Sequence, residues 1–299
     1  MKTFKILSII CFALFSSAYT FAQQDFQGKA YYESKTTIDM ENFGGPDMPA
    51  DRKKAFMERM KSFLEKSYIL TFNKAESIYK EEEQLVAPGG SQGRGFGGFA
   101  ANFSAGEQYK NVQTNQLLQE QEFFGKQFLI KDSLPKLKWK MTGETKQIGQ
   151  YMAMKATTMK AVDKTDFSSF RPRGRGGNND ASEKKTDSTS VDKPVEEVEV
   201  PKEIEVTAWY TMQIPVNQGP GEYWGLPGLI LEINADRTTI LCSKIVLNPS
   251  EKDNIKAPSK GKEVTKEEYV ETVTKKMEEM REMYGGRGGR GGGRPGRGR

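Results

Sequence analysis

Apolar positions along this chain fall mostly in short runs that alternate with polar residues or are rich in aromatic and β-branched types, the signature of half-buried strands. The runs are Gly28 to Ile38, Ser67 to Asn73, Glu76 to Glu83, Lys126 to Lys131, Trp139 to Thr145, Gln150 to Thr158, Ile204 to Pro215, Gly228 to Asn234 and Thr238 to Leu247. Turn chemistry at Thr142-Gly143-Glu144-Thr145 and Asn234-Ala235-Asp236-Arg237 predicts hairpins, and hence antiparallel neighbours. Two segments break the period. From Asp51 to Lys66, Phe56, Met60, Phe63 and Leu64 recur at helical spacing. Thr265 followed by Glu268 predicts a capping box, and Tyr269, Val273, Met277, Met280 and Tyr284 then form one apolar stripe.

Between these elements lie segments with too little apolar content to build a core. Pro88 to Phe99, Arg171 to Gly177 and Gly285 to Arg299 are Gly- and Arg-rich, and Asn178 to Pro201 is a run of Ser, Thr, Lys, Asp and Glu. The predicted organisation is a single β-rich domain over residues 23–284, with disordered insertions near 84–107 and 171–203 and a disordered tail at 285–299. The fold class is mainly β: a curved antiparallel sheet, a half-open barrel or bowl, with a few helices packed on it. An apolar concavity in such a sheet is a natural ligand site.

Lys2 and Lys5 precede an apolar run from Ile6 to Phe15, and Ala22 offers a small residue before Gln23. This predicts a Sec-type signal peptide over residues 1–22 and an exported protein, in the periplasm, associated with the outer membrane or secreted. The run is shorter than the roughly 20 residues a spanning helix needs, and no later segment qualifies, so the mature chain is expected to lack a transmembrane segment. Cys11 sits inside the apolar run, which disfavours it as a lipidation site. Removal of the leader would leave Cys242 as the single cysteine, so the core and not a disulfide must hold the domain together. The formal charge of +5 is local as well. Lys2 and Lys5 leave with the leader, and Arg287, Arg290, Arg294, Arg297 and Arg299 lie in the tail.

The chain contains no histidine, which removes Ser-His-Asp and Cys-His catalysis and histidine-based zinc sites. A carboxylate pair such as Glu222 and Glu232 could act as acid and base, against the plainer reading of a solvated face. Methionines offer soft ligands for monovalent copper, with Met152 and Met154 on one strand face and Met159 nearby, and Met277, Met280 and Met283 on the last helix. The plainer reading is that they fill gaps in the core. The expectation is therefore a non-enzyme without metal or cofactor. The five tail arginines, free of nearby acids, would attract a polyanion such as lipopolysaccharide or acidic polysaccharide, against the reading of an unstructured appendage.

The segment Tyr223 to Ile233 (YWGLPGLILEI) sets glycines and a proline against a buried-strand pattern. Pro227 cannot donate to a ladder, so pairing should begin after it. Gly225 and Gly228 allow positive φ or close backbone approach on either side of the bend, which Tyr223 and Trp224 could cover as an aromatic lid. Beyond it, Leu229, Leu231 and Ile233 should face one side and Ile230, Glu232 and Asn234 the other. Gly225-Leu226-Pro227-Gly228-Leu229-Ile230 resembles the signature of the GLPGLI family of exported Bacteroidetes proteins. Phe128 to Asp132, Leu134-Pro135, Trp139-Lys140, Glu144 to Lys146, Lys155 to Thr157, Ala208 to Thr211 and Ile214-Pro215 fall in the family's order. The resemblance implies a protein of unknown function, often encoded beside TonB-dependent outer-membrane receptors. It transfers no catalytic residue. The expected function is thus a non-catalytic envelope accessory that binds a ligand or an outer-membrane partner, the alternative being a surface protein that holds polyanions through its Arg-Gly segments.

Overall fold

A computed structural model describes residues 26–37, 49–82, 103–161 and 203–285. The expectations for the leader, the Gly-rich and acidic insertions and the five tail arginines lie outside the described residues. The described residues form twelve strands: β1 (Gly28–Thr36), β2 (Glu65–Phe72), β3 (Glu76–Glu81), β4 (Phe103–Asn111), β5 (Gln116–Phe123), β6 (Lys126–Ser133), β7 (Lys140–Ile148), β8 (Tyr151–Ala161), β9 (Glu203–Thr211), β10 (Leu229–Ala235), β11 (Thr238–Leu247) and β12 (Lys262–Val264). Helix α1 (Ala50–Leu64) leads directly into β2, and α2 (Lys266–Gly285) follows β12. All strands belong to one sheet, in the order β12-β6-β5-β4-β3-β2-β1-β11-β10-β9-β8-β7. Its pairings are antiparallel apart from the short parallel β12–β6 contact. Its two ends do not pair with each other, so the sheet is open. The architecture is the mainly β one that the alternating runs predict.

The sheet bends. Tyr32 on β1 donates its hydroxyl to the Ile230 carbonyl on β10 at 2.6 Å, although β11 lies between them. In a flat sheet those two strands would run about 10 Å apart. On the face that the bend encloses, Ala30, Tyr32, Leu70 and Phe72 pack with Leu229 and Leu231. A second cluster gathers Ala156, Val206, Ala208 and Tyr210 with Ile230 and Ile233.

Several local expectations change. Thr142 to Thr145 is not a turn: it lies inside β7, where the register slips between Met141 and Thr145 and Gly143 takes a φ of 79°. The β7–β8 hairpin closes instead at Gly149-Gln150, with Gly149 at a φ of 57°. The Asp236-Arg237 turn between β10 and β11 is as expected, with Asp236 at a φ of 50°. Strands β4 and β5 carry little alternation, and β4 begins at Phe103, inside the stretch 84–107 assigned by composition to an insertion. Their Tyr109 and Leu118 are buried against Ile78 and Leu129, so the neighbouring strands make them strands.

Helix α2 starts as the Thr265/Glu268 pair predicts. The Thr265 amide donates to Glu268 Oε2 at 3.0 Å and the Glu268 amide donates to Thr265 Oγ1 at 3.2 Å, a reciprocal cap. Glu267 and Glu268 in the first turn also suit the positive end of the helix dipole. Tyr269, Val273 and Met277 then pack on Phe123, Phe128 and Ile130 at the β5–β6 end of the sheet. Thr265→Ala is expected to lower the stability of this helix by about 1 kcal/mol. Faster hydrogen exchange confined to the first-turn amides of α2 would show it, and an unchanged exchange rate would refute the cap's role. Among the described residues, no helix is long and apolar enough to cross a membrane.

Candidate functional site

Residues 212–228 join β9 to β10 and carry most of the Gly-Leu-Pro-Gly-Leu-Ile motif. A connection of this length between neighbouring antiparallel strands must be held in place by something other than a tight turn. Here it packs inward. Ile214 and Val216 join the cluster built on β1 and β2, while Tyr223 and Leu226 join the one built on β8 and β9. The segment therefore contributes to both clusters, and its Ile214 and Val216 take up space on the enclosed face, where the sequence predicts an apolar ligand concavity.

Its backbone is fixed at both ends. Leu229 N donates to Ile214 O at 2.9 Å, Ile230 N donates to Gln218 O at 3.1 Å, and Tyr223 N donates to Pro220 O at 3.1 Å. Gly225 sits at a φ of 91°, a left-handed conformation that glycine accepts without penalty. Gly228 serves differently: a Cβ placed on it would lie 2.1 Å from the Thr211 carbonyl oxygen, so the two chain segments approach too closely for any side chain. The strand then starts at Leu229, after Pro227, as the missing donor requires.

The expected alternation along β10 does not hold. The register between β10 and β9 shifts between Ile230 and Glu232, a β-bulge at Leu231. Leu229 and Leu231 consequently pack in one cluster while Ile233 joins Ile230 in the other. All four are fully buried. The extra residue moves Ile233 to the face that a strict period of two would deny it.

Lys110 on β4 is the residue that gives the loop its position. Its side chain is buried, with 1% of its surface exposed, and Nζ donates to the carbonyls of Gly219 at 2.9 Å, Gly221 at 3.0 Å and Tyr223 at 3.2 Å. Next to it on β3, the Ser77 hydroxyl donates to Gln218 Oε1 at 2.9 Å, again between buried groups. Four strands separate β4 from β10 in the sheet. These bonds therefore run as a chord across the bend and tie its two limbs through the motif loop. Burial pushes the Lys110 amine down to about 7, against the pull of the Glu222 carboxylate; the three carbonyls also favour the charged form.

The remaining candidate residues act as fasteners. Tyr223 is buried, and its carbonyl is one of the three Lys110 acceptors. Trp224 donates its indole N–H to the Pro135 carbonyl at 2.8 Å, while Trp139 donates its own to the Trp224 carbonyl at 2.8 Å. The pair pins the loop to the β6–β7 connection, so these two aromatics are anchors where a lid was expected. Leu226 is buried, and Pro227 is exposed.

Glu222 and Glu232 are each held by a lysine. Lys160 meets Glu222 at 2.5 Å and lies over the Tyr223 ring, 5.6 Å from its centre. Lys146 meets Glu232 at 2.6 Å and lies 4.3 Å from the centre of the Trp209 ring. Glu232 also accepts from Asn234 Nδ2 at 2.7 Å. Each carboxylate therefore already has a lysine as its partner. Cys242 is a free, half-buried thiol that burial pushes up to about 12, which makes it a poor nucleophile.

One match to known proteins falls on this same region. Residues 139–232 match the model of a family described as a protein of unknown function, Porph_ging. The matched segment runs from Trp139 through β7, β8 and β9 to Glu232 and contains the whole loop and hexapeptide. No curated protein matches the chain. Two solved structures of PNGF-II, in C2 and P21 space groups, are similar to it, each at 13% identity with a TM-score of 0.45. The alignments cover 84% and 83% of this chain and 33% of each PNGF-II chain, so the chain spans about a third of their length.

Proposed function

We propose that this chain is an exported, non-catalytic member of the GLPGLI family that serves as an envelope accessory by docking an extended segment of an outer-membrane partner. The family reading is supported by the hexapeptide Gly225 to Ile230 and by its place inside the segment that matches a family of unknown function. The docking reading is carried by one observation, the free edge of β7. This nine-residue strand ends the open sheet, and Lys140 to Thr145 are all exposed. Among the described residues no strand pairs with its outer side. A row of unpaired backbone donors and acceptors is a template for strand addition. The register slip between Met141 and Thr145 interrupts the template, which leaves Thr145 to Ile148 as its regular portion. The enclosed face, by contrast, holds the motif loop, so the edge is the better binding surface.

Photo-crosslinking in the native envelope tests this. A photoreactive residue at exposed Gln147 is expected to give one discrete adduct with a membrane-fraction protein, while the same probe at exposed Lys252, remote in the chain from the β7 edge, gives none. Absence of an adduct at Gln147, or an equal adduct at both positions, would overturn the docking reading. Turnover of a substrate by the purified protein, abolished by a carboxylate substitution, would overturn the non-catalytic one.

A further inference from the structure

Methionine is normally a core residue, yet Met152 and Met212 are 54% and 57% exposed. The plain reading that methionines here fill gaps in the core therefore fails for these two. Their positions are also related. Met154 pairs directly with Tyr210 across β8 and β9 and packs, half-buried, on the Tyr210 cluster. Two residues along the ladder in this register, Met152 comes opposite Met212, just past the end of β9. The Met152 amide donates to the Gln213 side-chain oxygen at 3.1 Å, which ties that end of β8 to the segment carrying Met212. Met152 and Met154 share a face because they are two apart on one strand. Residues opposite each other across an antiparallel pair have Cβ atoms about 5 Å apart, within reach of three-bond thioether side chains.

We infer that Met152, Met154 and Met212 form a binding site for a soft monovalent metal ion, with monovalent copper as its ligand. Thioethers select that class of ion over the harder divalent metals. Met154, held by packing, supplies a positioned sulfur, and the two exposed methionines close on the ion from adjacent strands. Among the described residues no group of three His, Cys, Asp or Glu offers a competing site. Met159 lies on the other face of β8 from Met152 and Met154, since it is an odd number of residues from both, and so stands outside the site. Met152 and Met154 pair with Gln147 and Thr145 on the inner side of β7, whereas the docking reading uses the outer side of that strand, and the metal inference does not rest on it.

The test is an anaerobic competition of the full chain against a chromophoric chelator of monovalent copper. The wild type is expected to withdraw one equivalent of copper. The double variant Met152→Leu/Met212→Leu, which keeps side-chain size at exposed positions, should bind at least tenfold more weakly with an unchanged circular dichroism spectrum. Met159→Leu should bind like the wild type. The inference is overturned if the wild type leaves the chelator loaded, if the double variant competes as well as the wild type, or if Met159→Leu weakens binding to the same degree.

Discussion

A Gly228→Val chain is expected to yield no folded protein. The β-carbon alone would sit 2.1 Å from the Thr211 carbonyl oxygen and 2.6 Å from its carbon, and neither is the end of a flexible side chain that can turn away. Both belong to the backbone of β9, so relief requires β9 and the start of β10 to separate. That separation would open the contacts of Leu229 and Ile230, both fully buried in different clusters. Ordinary overpacking costs about 1–3 kcal/mol. A clash with backbone at the meeting point of two clusters should exceed that and consume most of a typical stability of about 5–15 kcal/mol. Gly225 is the matched comparison. It has open space around its Cβ position but a φ of 91°, so Gly225→Ala should cost only about 1–2 kcal/mol and leave the protein folded. Circular dichroism and urea unfolding of the two variants check this. A folded Gly228→Val protein with wild-type stability would mean that the motif has no architectural role.

The second large effect is expected at Lys110. Lys110→Met keeps length and apolar contact but leaves the carbonyls of Gly219 and Tyr223 without their donor, while that of Gly221 can turn to water. An orphaned buried acceptor costs about 1–3 kcal/mol, partly offset because the desolvated amine is gone. A net loss of about 2–3 kcal/mol is expected, with greater protease sensitivity in residues 212–228. The pH dependence separates the lysine from a generic packing defect. Burial lowers the folded-state pKa of Lys110 from 10.5 to about 7. Above about 7 the folded protein releases a proton that the unfolded chain keeps, so the unfolded state binds more protons and wild-type stability should rise with pH. The rise should end near 9. From there the unfolded chain ionises Cys242, which burial in the folded protein holds near 12, and then the buried Tyr32 and the half-buried Tyr79, whose hydroxyl is enclosed, both also pushed up by burial. Stability contributed by those groups is present below the unfolded values of 9.0 and 10.0 and declines above them. Lys110→Met should abolish the rise between about 7 and 9 and keep the alkaline decline. Equal pH profiles for the two proteins would show that Lys110 does not titrate in the folded state as burial dictates.

Local chemistry was legible where it is decided by near neighbours. The Thr265/Glu268 cap, the start of β10 after Pro227, the positive φ of Gly225 and the Asp236-Arg237 hairpin each depend on a few adjacent residues. The strands with strong alternation were equally plain. Strands β4 and β5 were not, since a run such as QLLQEQEF has no period of its own and is a strand only because β6 and β4 flank it. Met212 carries no local mark for a similar reason, as it is next to Met152 only through the β8–β9 register.

By itself, then, the amino-acid sequence determined a mainly β chain with a curved antiparallel sheet, two amphipathic helices and a rigid bend at Leu226-Pro227. Tertiary structure alone decided what that bend holds. Lys110 reads as one more charged residue in a polar strand, and nothing within ten residues marks it as the donor to three carbonyls more than a hundred positions away. The bulge at Leu231, which sends Ile233 to the opposite cluster, is likewise a compromise between two strand registers. The physical reason is the same in both cases. Backbone conformation at a turn or cap is set by adjacent residues, whereas burial of a charge or slippage of a register is a property of surfaces that meet only when the sheet has curved.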